Sequence, residues 1–163
     1  MKGALTNKEL IWNNVEFSSQ VELFKEIADD LCRKGYVKGN YQQEILAREK
    51  LFPTGLALEG YNVGIPHCDF NAIEREFVGV VILKKPIEMY QMDVPTNKLS
   101  VRYVFFLGFK NSDTHLRTLK QIMKIIKNKS LIESISKSES CQEINDLINA
   151  EIRQEDEANE KNN

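Results

Sequence analysis

Apolar positions change period along this chain, and the changes divide it into a helical front, a strand-rich middle and a helical rear. Over 20–34, Phe24, Ile27, Ala28 and Leu31 fall on one stripe at helical spacing. Ser18 or Ser19 is placed to cap that helix and Gly35 to end it. Over 37–51, Tyr41, Ile45 and Leu46 share a face among polar partners until Pro53 and Gly55 stop the pattern, so a second, shorter helix is expected. At Leu56 the period shortens. Leu56–Leu58 and Tyr61–Ile65 flank Glu59-Gly60, a hairpin-type turn. Phe77–Leu83 and Val101–Leu107 are β-branched, aromatic and nearly continuous rather than alternating, which predicts strands covered on both faces. Lys84-Lys85-Pro86 and 93–98 read as loops, with a short edge strand over Ile87–Tyr90. Ser112-Asp113-Thr114 offers capping groups ahead of Leu116, Leu119, Ile122, Met123 and Ile126, so a helix starts within a residue or two of His115 and carries it in its first turn. Leu131–Ile135 and Ile144–Ile148 predict two short closing helices. Residues 151–163, charged and free of aromatics, are expected to form a disordered tail.

Size and charge then narrow the classes. The 163 residues suit one domain, able to bury roughly 70% of its unfolded surface. Three cysteines, Cys32, Cys68 and Cys141, are odd in number and widely spaced, so they read as reduced thiols in a cytoplasm. The N-terminal MKGALTNKEL lacks the apolar run of a signal peptide, and the longest apolar stretch, Val78–Leu83, is far too short to span a bilayer; no direct membrane insertion is expected. With 22 basic and 24 acidic residues, charge offers no support for nucleic acid as a partner. Neither GxxxxGK[ST] nor GxGxxG occurs, and two histidines with scattered cysteines seed no zinc site, so neither cofactor nor metal is expected.

One stretch concentrates chemical potential. In Gly64-Ile65-Pro66-His67 the proline stiffens its own φ and holds Ile65 extended, so Ile65 ends a strand and His67 opens the loop beyond. A neutral imidazole there is a competent nucleophile near pH 7, the description of a group carrier. A phosphoryl group on it would need donors for its oxygens. Arg48 has a planar fork, Thr54 a hydroxyl after a proline, and His115 an imidazole at a helix N-terminus. Each has a plainer explanation: His67 as a turn hydrogen-bonder, His115 as a solvated polar residue, Arg48 as part of a solvated helix face, and Pro53-Thr54-Gly55 as a turn. Cys68 invites a thiol-nucleophile reading, but no acidic orienter is evident from spacing, and the inert thiol is preferred.

Taken in order, Ala47-Arg48-Glu49, Phe52-Pro53-Thr54-Gly55-Leu56-Ala57-Leu58-Glu59, Gly64-Ile65-Pro66-His67-Cys68 and His115-Leu116-Arg117-Thr118-Leu119 resemble the enzyme IIA components of the bacterial phosphoenolpyruvate-dependent sugar phosphotransferase system. The resemblance is to the fructose-mannitol type and, through Phe-Pro-Thr-Gly and the cysteine after Ile-Pro-His, to its galactitol-specific branch. It covers roughly residues 12–150. The His-Leu pair at 115–116 departs from that branch, whose members need not carry it. The resemblance implies an α/β fold over residues 1–150, a single domain with a mixed β-sheet flanked by helices on both faces, with 151–163 as the charged tail. It implies a cytoplasmic phosphotransferase component in which His67 accepts a phosphoryl group from HPr and passes it to a cysteine of a cognate enzyme IIB, and through IIB serves IIC. His115, Arg48 and Thr54 match positions at the phosphate site, and Glu59 matches a family position of unassigned role. Two other readings stand beside it: a regulatory protein of the same fold that senses phosphotransferase flux, and a hydrolase using His67, Cys68 and His115.

Overall fold

Ser19 starts the first long helix by accepting the backbone N–H of Glu22 at 3.2 Å. In this computed structural model, which describes residues 6–161, helix α1 spans Gln20–Arg33 and ends where Gly35 takes a φ of +82°, a left-handed turn that glycine adopts without strain. Its apolar stripe, Leu23, Phe24, Ile27, Ala28 and Leu31, is buried as the spacing predicts. Helix α2 (Tyr41–Leu51) begins later than expected, because Val37 bridges to Ile73 and is held in extended geometry.

The five strands are β1 (Ile11–Val15), β2 (Gly55–Leu58), β3 (Tyr61–Gly64), β4 (Phe77–Tyr90) and β5 (Lys98–Gly108). They form one mixed sheet in the order β1-β4-β5-β3-β2. β2 and β3 are an antiparallel hairpin about Glu59-Gly60, β3 runs parallel to β5, β4 antiparallel to β5, and β1 parallel to β4. Successive residues of β5 serve opposite layers. Val104 and Phe106 pack with Phe24, Tyr41 and Ile45 of α1 and α2. Phe105 and Leu107 pack with Ile122, Ile135 and Ile148 on the other face, where α3 (Ser112–Lys127), α4 (Lys129–Lys137) and α5 (Cys141–Lys161) lie. Cover on both sides is why the central strands read as continuous apolar runs; each such side chain contributes about 1.5–3 kcal/mol on burial.

Several expectations are corrected here. Lys84-Lys85-Pro86 is not a loop but an exposed part of β4, where the pairing register shifts between Ile82 and Ile87. Such an irregularity accommodates a proline that lacks the ladder N–H. Ile87–Tyr90 is therefore no separate edge strand; it pairs with Val101–Lys98 of β5. One edge strand, β1, escaped notice because Trp12-Asn13-Asn14 dilutes its apolar signal and Asn14 has a φ of +56°. α3 is capped by Asn111, whose side chain accepts the Thr114 N–H at 3.0 Å, so the helix starts slightly earlier and His115 still lies in its first turn. Residues 151–161 are not a disordered tail. They continue α5, because Ile152 extends the stripe of Ile144 and Ile148 onto the same core, and Glu151 accepts a hydrogen bond from Asn128 at 3.3 Å. Residues 162–163 lie outside the described residues. Among the described residues no helix is long and apolar enough to cross a membrane.

Candidate functional site

Two backbone hydrogen bonds hold the loop that leaves β3. Ile65 N–H donates to the Thr54 carbonyl at 3.2 Å, and Leu107 N–H donates to the Pro66 carbonyl at 3.0 Å. Gly64 lets the flexible end of Met89 pack against the strand end, since a Cβ there would lie 2.7 Å from its sulfur and methyl and would push them aside. His67 follows on a fixed base, half-buried, with Nδ1 at 2.8 Å from the carbonyl oxygen of Ile65. A carbonyl can only accept, so Nδ1 carries the proton and the lone pair belongs to Nε2. Burial lowers the pKa of His67 below its ordinary value; the Ile65 hydrogen bond opposes that, and the positive charge of Arg48 reinforces it.

The second imidazole is close. His115 sits with its ring centroid 5.4 Å from that of His67, the planes inclined at 70°. It lies flat on Phe109, at 4.3 Å and 11°, and meets the edge of Phe70 at 6.1 Å. Its pKa is also lowered, first by burial and then by His67 and Arg48. Both rings are therefore mainly neutral near pH 7. Arg48, exposed in the last turn of α2, holds its guanidinium 4.4 Å from the centroid of Phe52. It borders a shallow pocket of about 180 Å³ lined also by Glu44, Leu51, Phe52, Cys68 and Asp69. Three of the four candidates thus share one surface: a nucleophilic nitrogen, a second imidazole and a guanidinium whose field reaches both rings.

Thr54 is placed differently. It is buried and turned inwards, its hydroxyl donating to Glu49 Oε2 at 2.7 Å and its N–H to Glu49 Oε1 at 2.9 Å. The hydroxyl is thus spent on a carboxylate and ties the loop to α2. Cys68 is 8% exposed, and burial pushes its thiol up to about 12, which suits an inert thiol. Glu59 is exposed in the hairpin turn, at the end of β3 remote from Gly64. Among the described residues no three His, Cys, Asp or Glu side chains gather where a metal ion could sit.

Glu49, Phe109 and Phe70 were not singled out by sequence reasoning. Glu49 had a signal, since Tyr41, Ile45 and Glu49 repeat every four residues and share the buried face of α2. Phe109, just past β5, had none beyond its apolarity.

Comparison with known proteins bears on family and fold. The chain is 26% identical over 124 residues to the galactitol-specific EIIA component of the phosphotransferase system of Escherichia coli strain K12, covering 76% of this chain and 81% of that one. Its fold matches the nitrogen regulatory protein IIA-Ntr from Neisseria meningitidis with a TM-score of 0.72 and 26% identity, over 88% of this chain and 96% of the other. It also matches a complex of enzyme IIA of the mannitol system with phosphorylated enzyme IIB from Escherichia coli, with a TM-score of 0.71 and 20% identity, over 87% and 95% of the two chains. The family model described as phosphoenolpyruvate-dependent sugar phosphotransferase system, EIIA 2, matches residues 4–151. With that span, and with a mixed sheet that presents a histidine from a strand end, the chain belongs to the EIIA 2 family of the phosphoenolpyruvate-dependent sugar phosphotransferase system.

Proposed function

We propose that Nε2 of His67 accepts a phosphoryl group from the phosphohistidine of HPr and passes it to a cysteine of a cognate enzyme IIB, feeding sugar or hexitol uptake through a membrane component IIC. The observation that carries this reading is the hydrogen bond from His67 Nδ1 to the Ile65 carbonyl, which leaves Nε2 as the nucleophile beside a second imidazole. In the first step the Nε2 lone pair attacks phosphorus, the donor's P–N bond breaks, and its electron pair returns to the donor nitrogen. Positive charge then builds on the His67 ring, and the Ile65 carbonyl against Nδ1–H stabilises it. Arg48 and His115 face the phosphoryl oxygens, where fixed donors are worth more than in bulk water. The second step reverses the roles, with a partner thiolate as nucleophile and His67 as leaving group.

A carrier needs a surface that visitors can cover and leave. Leu51 and Phe52 are 72% and 57% exposed beside the pocket, Leu116 is 57% exposed next to His115, and Phe70 is partly exposed against its ring. Among the described residues, four of the eight exposed large apolar side chains therefore lie on the segments that carry Arg48 and the two histidines, which favours protein partners of modest interface area. Similarity to the galactitol component favours transport. The likeness to IIA-Ntr keeps a regulatory reading as the second one, and phosphoryl transfer to a cognate IIB decides between them.

Incubation of the protein with phosphoenolpyruvate, enzyme I and HPr should add one phosphate that is lost in acid, as a phosphoramidate is. An unmodified mass under those conditions, or an acid-stable adduct, overturns the reading.

A further inference from the structure

A buried carboxylate near a helix C-terminus calls for an explanation, because burial and the negative end of the helix both oppose its charge. Glu49 is 6% exposed in the last turn of α2. Its pKa is raised by burial, with the Thr54 amide, the Thr54 hydroxyl and the Gln20 side chain pulling the other way. Gln20 Nε2, buried nearby, has no other partner and no hydrogen bond of good geometry. Glu49 is thus costly where it stands, and nothing in the phosphocarrier chemistry described above uses it directly.

What it does is anchor a chain of hydrogen bonds that ends on the nucleophile. Its two oxygens take the N–H and the hydroxyl of Thr54, at 2.9 and 2.7 Å. The Thr54 carbonyl takes the N–H of Ile65 at 3.2 Å. The Ile65 carbonyl takes Nδ1–H of His67 at 2.8 Å. Four residues from α2, the following loop and the end of β3 are joined in series, and the last bond chooses the tautomer. A free histidine side chain in water prefers the proton on Nε2, which would block the nitrogen needed for attack. The Ile65 carbonyl reverses that preference only while it is aimed at Nδ1.

We infer that Glu49 is a positioning residue for His67: by fixing Thr54 it fixes Ile65, and so holds the imidazole in the tautomer whose Nε2 is free. This rests on the phosphocarrier reading for its consequence but not for its structural content. It also gives Thr54 its role, as the middle of the chain rather than a phosphate ligand. Gly55, the next residue, is already held by its pairing with Gly64 and by the N–H of Met92 at 2.8 Å, so the Glu49 bonds set the Thr54 end of the chain.

The test reads the tautomer and the rate separately. Wild-type protein carrying nitrogen-15 histidine should show, above the His67 pKa, a protonated Nδ1 and an unprotonated Nε2 at position 67. Glu49→Ala should shift His67 toward the Nε2–H tautomer and slow phosphorylation by phospho-HPr by about 10- to 100-fold, the scale of a small misplacement of a reacting group. Glu49→Gln can still accept from the Thr54 N–H and donate to its hydroxyl oxygen, so it should restore the wild-type tautomer and most of the rate. Should Glu49→Ala fail to fold, Thr54→Val replaces it, removing one link with little change of shape, and is expected to shift the tautomer in the same direction. An unchanged Nδ1–H tautomer in Glu49→Ala, or in Thr54→Val if that variant must stand in, overturns the inference; so does a Glu49→Gln protein as impaired as the alanine variant. If wild-type protein takes no phosphate yet its tautomer responds as described, the carrier reading fails while the positioning role stands.

Discussion

The two histidines of this chain are neighbours held by opposite means. His67 leaves a strand end on a loop pinned at both sides, and its Nδ1 is committed to a backbone carbonyl. His115 rides the first turn of α3, lies on Phe109, and makes no ring hydrogen bond among the described residues. A hydrogen bond specifies which nitrogen is nucleophilic. A stacked ring restrains the plane of the imidazole but leaves both nitrogens able to exchange a proton or donate to an anion. The first arrangement suits the atom that forms a bond, the second a group that adjusts as charge arrives. The difference teaches that equal residue type and near-equal location do not make equal roles; the partner of each nitrogen does.

That contrast can be broken by substitution. His67→Gln should reduce phosphate incorporation to background, because no other group at the site offers a free nitrogen lone pair in a fixed tautomer; substantial acid-labile labelling of that variant would place the acceptor elsewhere. His115→Ala should leave His67 phosphorylated but about 100-fold more slowly, the usual cost of removing one fixed donor to developing charge. A rate equal to wild type in stopped-flow transfer from phospho-HPr would remove His115 from the site. Phe109→Leu keeps apolar volume but not the stack. It should be milder, about tenfold at most, given ~0.5–1.5 kcal/mol for an aromatic pair.

Acidity sharpens the comparison with a smaller effect. Burial holds the pKa of His67 below the ordinary histidine value of about 6.5. The acid limb of the transfer rate should therefore fall below pH 6.5, and a limb centred above it would contradict the depressed value. Stability follows the same group. Between the folded and unfolded pKa values the unfolded chain binds a proton that the native chain does not, so the stability from a neutral His67 is complete above about pH 6.5 and is lost as pH falls. His115 adds a term of the same sign. Glu49, with a raised pKa, adds one of opposite sign. Comparing denaturant midpoints of wild type and His67→Gln from pH 7 to 5 isolates the His67 term, and the variant should show the shallower decline.

Much of this was legible in the chain itself, for physical reasons that differ by region. The stripes of α1 and α3 and the continuous apolar runs of β4 and β5 are set by which faces are buried, and burial imposes a period that can be read directly. His67 was legible because proline fixes local geometry without help from distant residues. β1 was not, since a five-residue edge strand interrupted by two asparagines carries little pattern. The tail at 151–161 was misjudged because charge dominated its composition, while one isoleucine, Ile152, continued the core stripe. Thr54 was read as a phosphate donor, whereas its hydroxyl and N–H are both committed to Glu49. Its orientation is decided by Glu49, five residues earlier on the buried face of α2, and a single carboxylate on an apolar stripe is easily read as noise.

The central claim is that phosphate resides on one nitrogen of one residue. Protein labelled with nitrogen-15 histidine, charged by phosphoenolpyruvate, enzyme I and HPr and held at alkaline pH, can be examined for phosphorus-to-nitrogen coupling. The account predicts coupling at Nε2 of His67 with Nδ1 still bearing its proton. Coupling at Nδ1 of His67, or at either nitrogen of His115, would contradict it.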